Sequence, residues 1–349
     1  MLSSGGRSGR YLWQKISMKA AVLYGKGGAP RYVDFPEPVP QNDREVLVSV
    51  KAVALKHFDK SRAAGTHYSV EGNGQDAKVI GGDGVCLLPD GTRVYALGAS
   101  GMMAEKATVE KDRVVTLPDG LEDDIAAALP NGVIGAAMAL RFRAGIEPGD
   151  TVLINGATGF TGRIAVQIAR HYGAGKIIAT GRNPQSLKEL LTLGANEVLS
   201  IRQTDGEFAG QLQDGGFAGR LQQIHRITPI NVVIDYLWGH TAEIILAAVK
   251  GDGSVSGRTR FVSVGAVTGD LIQLSAANLR STDLVLSGSG LGSWTRRQIG
   301  LLFSEILPEM FQLAAGGKLK VGTTAVALRD IEKLWEVDVP DGGRLVVQI

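Results

Sequence analysis

A glycine-rich junction between an apolar strand and an amphipathic helix constrains this chain most. Glycine recurs at every third position, at Gly156, Gly159 and Gly162, directly after the apolar residues 152–154. A strand, a tight turn and a helix in immediate succession bring backbone N–H groups and a helix N-terminus to a pyrophosphate. Glycine is required there because a Cβ would block the turn, the phosphate or the helix–strand contact. The junction predicts a dinucleotide site and redox chemistry.

The residues after the junction favour one dinucleotide over another. The spacing is G-x-x-G-x-x-G rather than the common G-x-G-x-x-G, so an ordinary turn is the alternative on the glycines alone. Residues 176–180 predict a second strand, which completes a β–α–β unit. Arg182 follows that strand, where NAD enzymes carry an acid for the ribose hydroxyls. A basic side chain suits the 2′-phosphate of NADP, with a solvated arginine as the alternative. We therefore predict NADP(H) as the cofactor.

Composition excludes several classes of protein. A chain of 349 residues with 44% hydrophobic and 21% charged residues predicts about two globular domains. A net charge of +2 without a dense basic stripe argues against nucleic acid as a partner. Cys86 is the single cysteine, so no intramolecular disulfide is expected, and a reducing, cytoplasmic compartment fits. No apolar run approaches the length of a membrane span, so we expect no membrane partner.

The pattern of elements changes along the chain. Residues 18–133 show short strands with Pro-Asp-Gly turns and predict a mainly β domain. Residues 134–290 alternate strands with helices and predict a doubly wound parallel sheet. Residues 291–349 predict one or two helices and then strands that return to the first domain. Residues 1–17 contain bases but no acid, and we expect an overlong start or a cloning remnant, with a targeting peptide as the alternative.

The predicted elements follow from apolar runs, β-branched residues and turn signals. The predicted strands are 19–24, 45–54, 93–96, 113–117, 176–180, 197–201, 231–236, 260–264, 283–286, 321–326 and 345–349. The predicted helices of the second part are 185–193, 217–226 and 241–249.

The order of these parts resembles the medium-chain dehydrogenase/reductase superfamily. Phrases of that superfamily are recognisable at 18–24, 45–65, 117–121, 126–130, 148–150 and 193–195. The heptapeptide GATGFTG, from Gly156 to Gly162, is similar to the glycine motif of its quinone oxidoreductase branch. The resemblance implies an α/β fold with a GroES-like, mainly β catalytic domain and a Rossmann NADPH-binding domain. It also implies an active cleft between the two domains.

The aligned positions differ from those of the zinc alcohol dehydrogenases within this superfamily. Lys56 stands three residues before Asp59, where the zinc branch has a cysteine, and Gly82 stands where it has a histidine. A catalytic zinc needs about three converging N, S or O ligands, and no pair of the five histidines has metal-motif spacing. We therefore expect no metal. The usual quinone oxidoreductase pattern has asparagine at the position of Lys56, so the wall facing the substrate differs as well.

The resemblance and the strand pattern together imply a set of cofactor-binding residues. These residues lie in the glycine motif and at the carboxyl ends of the strands that follow it. The predicted set is Gly156, Ala157, Thr158, Gly159, Phe160, Thr161, Gly162, Arg182, Asn183, Tyr236, Leu237, Gly265, Ala266, Gly288 and Ser289.

Three side chains are candidates for catalytic roles. The resemblance places Asn131 beside the nicotinamide, with a polar hinge between domains as the alternative. Tyr68, in a Gly/Ser/His loop, is a candidate hydrogen-bond donor to a substrate carbonyl, with an exposed loop tyrosine as the alternative. Asp59 orients the pocket or caps a helical turn, and we favour the cap.

These observations predict a zinc-independent, NADPH-dependent reductase of quinones or of the activated C=C bond of an enone or enal. The alternatives are a metal-free carbonyl reductase and a cofactor-binding protein with little turnover. The branch resembled commonly forms homodimers, and we expect one joined at residues 284–288, because the predicted strand 283–286 has an unprotected apolar edge. The alternative is a monomer in which a helix near 301–311 covers that edge.

Overall fold

The structure is a computed structural model that describes residues 17–25, 27–65, 76–202, 216–251, 257–337, 339 and 342–349. Residues 1–16 of the expected extension and the candidate Tyr68 lie outside these described residues. The described part consists of a mainly β region and a parallel α/β region, which together confirm the predicted fold class.

The mainly β region contains two sheets. Its strands are β1 Ser17–Leu23, β2 Arg31–Pro36, β3 Glu45–Ala54, β4 Lys78–Val79, β5 Asp83–Leu87, β6 Arg93–Gly98, β7 Lys106–Thr116, β14 Thr323–Ala327 and β15 Arg344–Gln348. The larger sheet has the strand order β14-β15-β3-β5-β6-β7, and β3 also pairs with β7, so four of its strands form a closed ring. The smaller has the order β2-β1-β4. Helix α1, His57–Ala64, follows β3 directly.

The second region contains a six-stranded parallel sheet. Its strands are β8 Thr151–Asn155, β9 Lys176–Gly181, β10 Glu197–Ser200, β11 Val232–Asp235, β12 Thr259–Ser263 and β13 Leu284–Gly288. They lie in the order β10-β9-β8-β11-β12-β13. The helices of this region are α3 Phe160–His171, α4 Pro184–Thr192, α5 Gly216–Ile227, α6 Gly239–Ala248 and α7 Ala276–Ser281. The strand order reverses between β9–β8 and β8–β11, and that switch point opens a crevice at the carboxyl ends of the strands.

A long buried helix joins the two regions. Helix α2 spans Asp123–Met138 and continues into a π-helical turn at Ala139–Ala144. It therefore runs across positions 133 and 134, where the change of sequence pattern suggested a domain boundary. The stretch Asp123–Ala144 is apolar enough to cross a membrane by composition alone, but 67% of its most apolar window is buried in the fold. Such burial is typical of the core helix of a globular protein.

The helices after β13 pack into the first region. Helix α8, Arg296–Leu301, leads through the π-helical residues Leu302–Ile306 into α9, Leu307–Ala315. Phe311 is buried in the core and makes an edge-to-face contact with Tyr95 of β6, with ring centroids 5.8 Å apart. The short helix α10 is Ile331–Leu334. Strand β13 is the last strand of its sheet, and Val285 and Leu286 on it are exposed.

Candidate active site

A crevice of about 640 Å³ lies between the two regions. One wall is formed by the carboxyl ends of β8, β9, β11 and β12 together with the start of α3. The opposite wall is formed by the start of α1 and the start of β15. The residues that line it are Leu55, Lys56, His57, Lys60, Gly156, Thr158, Gly159, Phe160, Thr161, Gly162, Gly181, Arg182, Ile201, Tyr236, Leu237, Gly265, Val267, Val337, Val339, Gly342, Gly343, Arg344 and Leu345. The predicted glycine motif therefore borders this crevice.

The three motif glycines have three different physical roles. Gly156 has φ +82°, in the left-handed region that favours glycine. Gly162 packs α3 against the loop, because a Cβ there would lie 2.5 Å from Ala157 Cα and 2.6 Å from the Gly156 carbonyl oxygen. Gly159 caps the start of α3 in an extended conformation, and its Cβ would meet only the Gly156 oxygen at 3.8 Å. The space above Gly159 at a helix N-terminus is therefore open to an anionic group.

A buried polar network holds this loop in place. The Asp235 carboxylate accepts hydrogen bonds from the Asn155 amide at 2.7 Å and from the Trp238 backbone N–H. Asn155 Oδ1 accepts from the Thr180 hydroxyl, which in turn accepts from the Gly156 N–H at 3.0 Å. Burial raises the pKa of Asp235, against the lowering effect of its hydrogen bonds. The network joins the ends of β8, β9 and β11, and it supports Trp238, which has φ 60°.

The end of β9 places a cation beside the crevice. Arg182 is exposed and lines the crevice directly after β9. Asn183 has a different role, because its Oδ1 accepts hydrogen bonds from the N–H groups of Gln185 and Ser186 and so caps α4. Arg182 is thus presented at the N-terminus of α4, where an anion is favoured.

Opposite the glycine motif lies a buried cluster of charged side chains. Lys56 is 2% exposed, and its ammonium donates to Asp83 Oδ1. The Tyr95 hydroxyl donates to the other oxygen of Asp83 at 2.9 Å. Asp59 accepts from the Lys56 backbone N–H at 3.1 Å and so caps α1, while its carboxylate lies 3.8 Å from Lys56 Nζ. Burial alone would lower the pKa of Lys56, but the Asp59 and Asp83 carboxylates outweigh it and the net direction is upward. The ammonium is therefore fully protonated at neutral pH.

Arg344 extends this cluster along the crevice. Its guanidinium stacks on the Phe160 ring, 4.3 Å from the centroid, and donates to the Leu55 carbonyl and to Asn131 Oδ1, each at 3.3 Å. Its Nε is buried and meets no hydrogen-bond acceptor among the described residues. Burial lowers the pKa of Arg344 to about 10, so it too remains a cation at neutral pH.

The predicted site residues divide into two groups. Those that line the crevice are Gly156, Thr158, Gly159, Phe160, Thr161, Gly162, Arg182, Tyr236, Leu237 and Gly265. Those that do not line it are Ala157, Asn183, Ala266, Gly288, Ser289, Asn131 and Asp59. Ala157 is fully buried behind the loop, and Ser289 accepts a hydrogen bond from the Trp294 indole at 3.2 Å. Asp59 forms the helix cap that we favoured, and Asn131 reaches the crevice only through Arg344.

Sequence reasoning overlooked four residues of the opposite wall: Lys56 as a crevice cation, Asp83, Tyr95 and Arg344. The signal for two of them was present, because Lys56 and Gly82, the residue before Asp83, were compared with the ligand positions of the zinc branch. No signal pointed to Tyr95 or Arg344, which come from distant strands. Within the described residues, no three His, Cys, Asp or Glu side chains come close enough to hold a metal ion.

Comparison with known proteins shows which proteins this chain is similar to. Residues 161–312 match a family model described as zinc-binding dehydrogenase, and this match begins after Lys56 and Gly82. A probable NADPH-dependent quinone reductase of Emericella nidulans is 27% identical, over 91% of this chain and 96% of its own length. The quinone oxidoreductase of Thermus thermophilus, solved also with NADPH, is 27% identical with a TM-score of 0.72, over 95% of this chain and 100% of its own. These matches support the medium-chain dehydrogenase/reductase superfamily for this chain.

Within this superfamily, the similarity falls in the quinone oxidoreductase branch, as the resemblance predicted. The quinone oxidoreductase of Sus scrofa is also 27% identical, over 72% of this chain and 80% of its own length. In this chain the crevice lies between the mainly β region and the parallel α/β region, so the glycine motif and the charged cluster border the same cavity.

Proposed function

We propose that the protein is an NADPH-dependent oxidoreductase that transfers hydride to a quinone or to the activated C=C bond of an enone or enal. The observation that carries this proposal is the open space above Gly159, at the N-terminus of α3 and inside the interdomain crevice. The relatives described as NADPH-dependent quinone reductase and quinone oxidoreductase support the same activity. The names of these relatives refer to quinones only. We include enones and enals because they too are conjugated carbonyl compounds with an electrophilic carbon that accepts hydride.

The residues present fit a dinucleotide of this kind. Gly159 leaves room for a pyrophosphate at the start of α3, and Arg182 stands at the end of β9 for a 2′-phosphate. Tyr236, Leu237 and Gly265 line the part of the crevice beyond the switch point. When bound there, NADPH supplies a hydride.

We propose that this reaction proceeds without zinc. An alcohol must be polarised and deprotonated before it can be oxidised, and zinc acts as the Lewis acid in that step. A quinone or enone is already electrophilic and accepts hydride without that step. Lys56 stands where the zinc branch has a ligand cysteine, and Asp83 directly follows Gly82, which stands where it has a histidine. The buried ion pair of Lys56 and Asp83 therefore occupies the region of the zinc ligands, which supports this proposal. We expect the enzyme to act in the cytoplasm.

A panel of acceptors tests the function. Consumption of NADPH is followed by absorbance with quinones, 2-alkenals, cyclic enones and simple ketones, before and after treatment with a chelator. We expect turnover with quinones or conjugated carbonyls and no loss on chelation. Turnover of simple ketones alone would instead indicate a carbonyl reductase, and tight NADPH binding without turnover of any acceptor would indicate a binding protein.

Arg182 is expected to set the preference for NADPH. A guanidinium–phosphate contact contributes about 1.5–3 kcal/mol. Arg182→Ala should therefore weaken NADPH about tenfold or more and leave NADH nearly unchanged. Fluorescence titration with each cofactor measures both affinities. Arg226→Ala, which removes an exposed arginine on α5 of the same region, is the matched control. An equal loss for the two cofactors would contradict the assignment.

We propose that two copies join along β13. This strand ends its sheet, and Val285 and Leu286 are 41% and 37% exposed on it. Leu302, Leu307 and Phe311, in the helical segment after α8, are buried in the core, which favours an open β13 edge over the covering helix considered as the alternative. Light scattering should give about twice the 36.8 kDa of one chain. Leu286→Lys should shift the mass towards the monomer, because a charge blunts edge pairing. A monomeric mass for the unaltered protein would refute the proposal.

A further inference from the structure

We propose that Lys56 is the fixed cation of the active site, which binds the carbonyl oxygen of the acceptor and stabilises the negative charge that hydride transfer places on it. This inference rests on the proposed function and names the chemical feature of the substrate that the site recognises. It assigns Asp83 and Tyr95 as positioning residues for the ammonium.

The geometry leaves donor capacity on Lys56 unused. An ammonium has three N–H donors, and Asp83 Oδ1 takes one. Asp59 lies 3.8 Å from Nζ, too far for a hydrogen bond. Across the parts of the chain that the structure describes, no other acceptor is bonded to Nζ. Lys56 borders the crevice although it is 2% exposed, so an oxygen bound there meets a largely dehydrated cation.

The position of the ammonium is fixed from several directions. Asp83 is anchored on its second oxygen by the Tyr95 hydroxyl, which is itself 1% exposed. Lys56 is the N-cap residue of α1, and its backbone N–H is bonded to Asp59. A charge that is held in place before the reaction stabilises a transition state without reorganisation.

The charge balance of the cluster leaves no excess negative charge to repel an incoming anion. The cluster contains two cations, Lys56 and Arg344, and two carboxylates, Asp59 and Asp83, and burial raises the pKa of Asp59. The cluster therefore does not carry excess negative charge. The guanidinium of Arg344 also keeps an unbonded Nε beside the same crevice.

The chemistry assigned to Lys56 is electrostatic. Hydride transfer from NADPH to a carbon conjugated with a carbonyl breaks the C=C π bond and moves its electron pair towards the carbonyl oxygen. The acceptor becomes an enolate or a hydroquinone anion, NADPH becomes NADP⁺, and a proton from water completes the product. Because its two carboxylate neighbours retain its proton, Lys56 acts as a hydrogen-bond donor and not as the acid that is consumed.

A binding experiment tests this role without turnover. The probe is 4-nitrophenol, whose phenolate resembles the anionic product, titrated into the protein without cofactor and followed by phenolate absorbance. We expect the unaltered protein to lower the ionisation midpoint of the bound probe by about one pH unit or more. Lys56→Met should abolish this shift, Lys56→Arg should keep part of it, and Lys51→Met, at an exposed lysine of β3, should leave it intact. The groups that face Lys56, namely Asp59, Asp83, Tyr95 and Arg344, are unchanged in all three variants.

Kinetics with the best acceptor give a second measurement. Lys56→Met is expected to lower kcat about a hundredfold, the cost typical of removing one oxyanion donor. Its KM for NADPH should stay within about twofold, because the cofactor contacts lie on the other wall. Tyr95→Phe should lower kcat less than Lys56→Met, and it should reduce but not abolish the shift of the probe.

A charge-balanced variant serves as the control for a loss of stability. Lys56→Met alone leaves two buried carboxylates without their partner, which destabilises a fold. The double variant Lys56→Met with Asp83→Asn restores the balance and should keep the thermal unfolding temperature while it loses the probe shift. A probe that fails to bind, or an unchanged shift in either folded variant, overturns the inference. Failure of every acceptor in the NADPH assay would overturn the proposed function instead, and the probe titration would still decide the role of Lys56.

Discussion

Gly159→Val is expected to abolish cofactor binding in a protein that remains folded. The backbone at Gly159 is extended, with φ −75° and ψ 167°, and a Cβ there meets only one atom, at 3.8 Å. A valine is therefore compatible with the fold, but its branches fill the space over the start of α3. We expect the Kd for NADPH to rise about a hundredfold or more, which corresponds to about 2.7 kcal/mol.

Fluorescence titration and thermal unfolding check this expectation together. Both NADPH and NADH should be lost, in contrast to Arg182→Ala, because the pyrophosphate is common to both cofactors. Gly159→Ala is the matched control and should give an intermediate loss. A folded Gly159→Val protein with ordinary NADPH affinity would remove the glycine loop from the binding site.

Gly162→Ala, three residues later, is expected to act on stability first. The added Cβ would lie 2.5–2.8 Å from backbone atoms of Gly156 and Ala157, which cannot rotate away as a flexible side chain can. Helix α3 must then shift from the loop, and overpacking of this kind costs about 1–3 kcal/mol or more. We expect the unfolding temperature to fall by about 4 °C or more.

The control for this variant is the same substitution on another helix. Gly219 of α5 has no atom within 4 Å of its would-be Cβ. Gly219→Ala should be neutral or stabilising, since alanine has the higher helix propensity. Differential scanning calorimetry of both variants measures the difference. Equal unfolding temperatures would mean that α3 does not pack on the loop as closely as described.

The sequence predicted the parallel sheet well because its signals are local. Strand β3 begins and ends at the predicted residues, and β8, the glycine loop and α3 follow the expected order. Helix α2 was missed because it is apolar on nearly every side and contains Pro130, Gly132 and Gly135. The structure explains one of these glycines, since a Cβ on Gly132 would lie 2.2 Å from Ile164 of α3. A tertiary contact overrides helix propensity there.

Of the two walls of the candidate site, the sequence predicted only the glycine wall, again because its signals are local. The glycine wall is one continuous segment, so its chemistry is carried by adjacent residues. The charged wall is assembled from the end of β3, the start of β5, the middle of β6 and the start of β15. Lys56 and Arg344 come from positions 288 residues apart in the chain, and no spacing rule relates them. The prediction that Asn131 acts catalytically stays a prediction, and its contact with Arg344 gives it a route to the crevice.

The place of β15 has a consequence for how the protein is made. This strand lies inside its sheet, between β14 and β3, and pairs Val346 with Ala54 and Gln348 with Ala52. During synthesis β3 leaves the ribosome long before its neighbour exists, and the whole nucleotide-binding region emerges in between. That region has its complete set of strands and is free to fold first. In the mainly β region, β3 can pair with β5 and β7 at once, but residues 52–54 lack their β15 partner until the chain is complete. The nascent chain therefore exposes a short strand edge beside the crevice until synthesis ends.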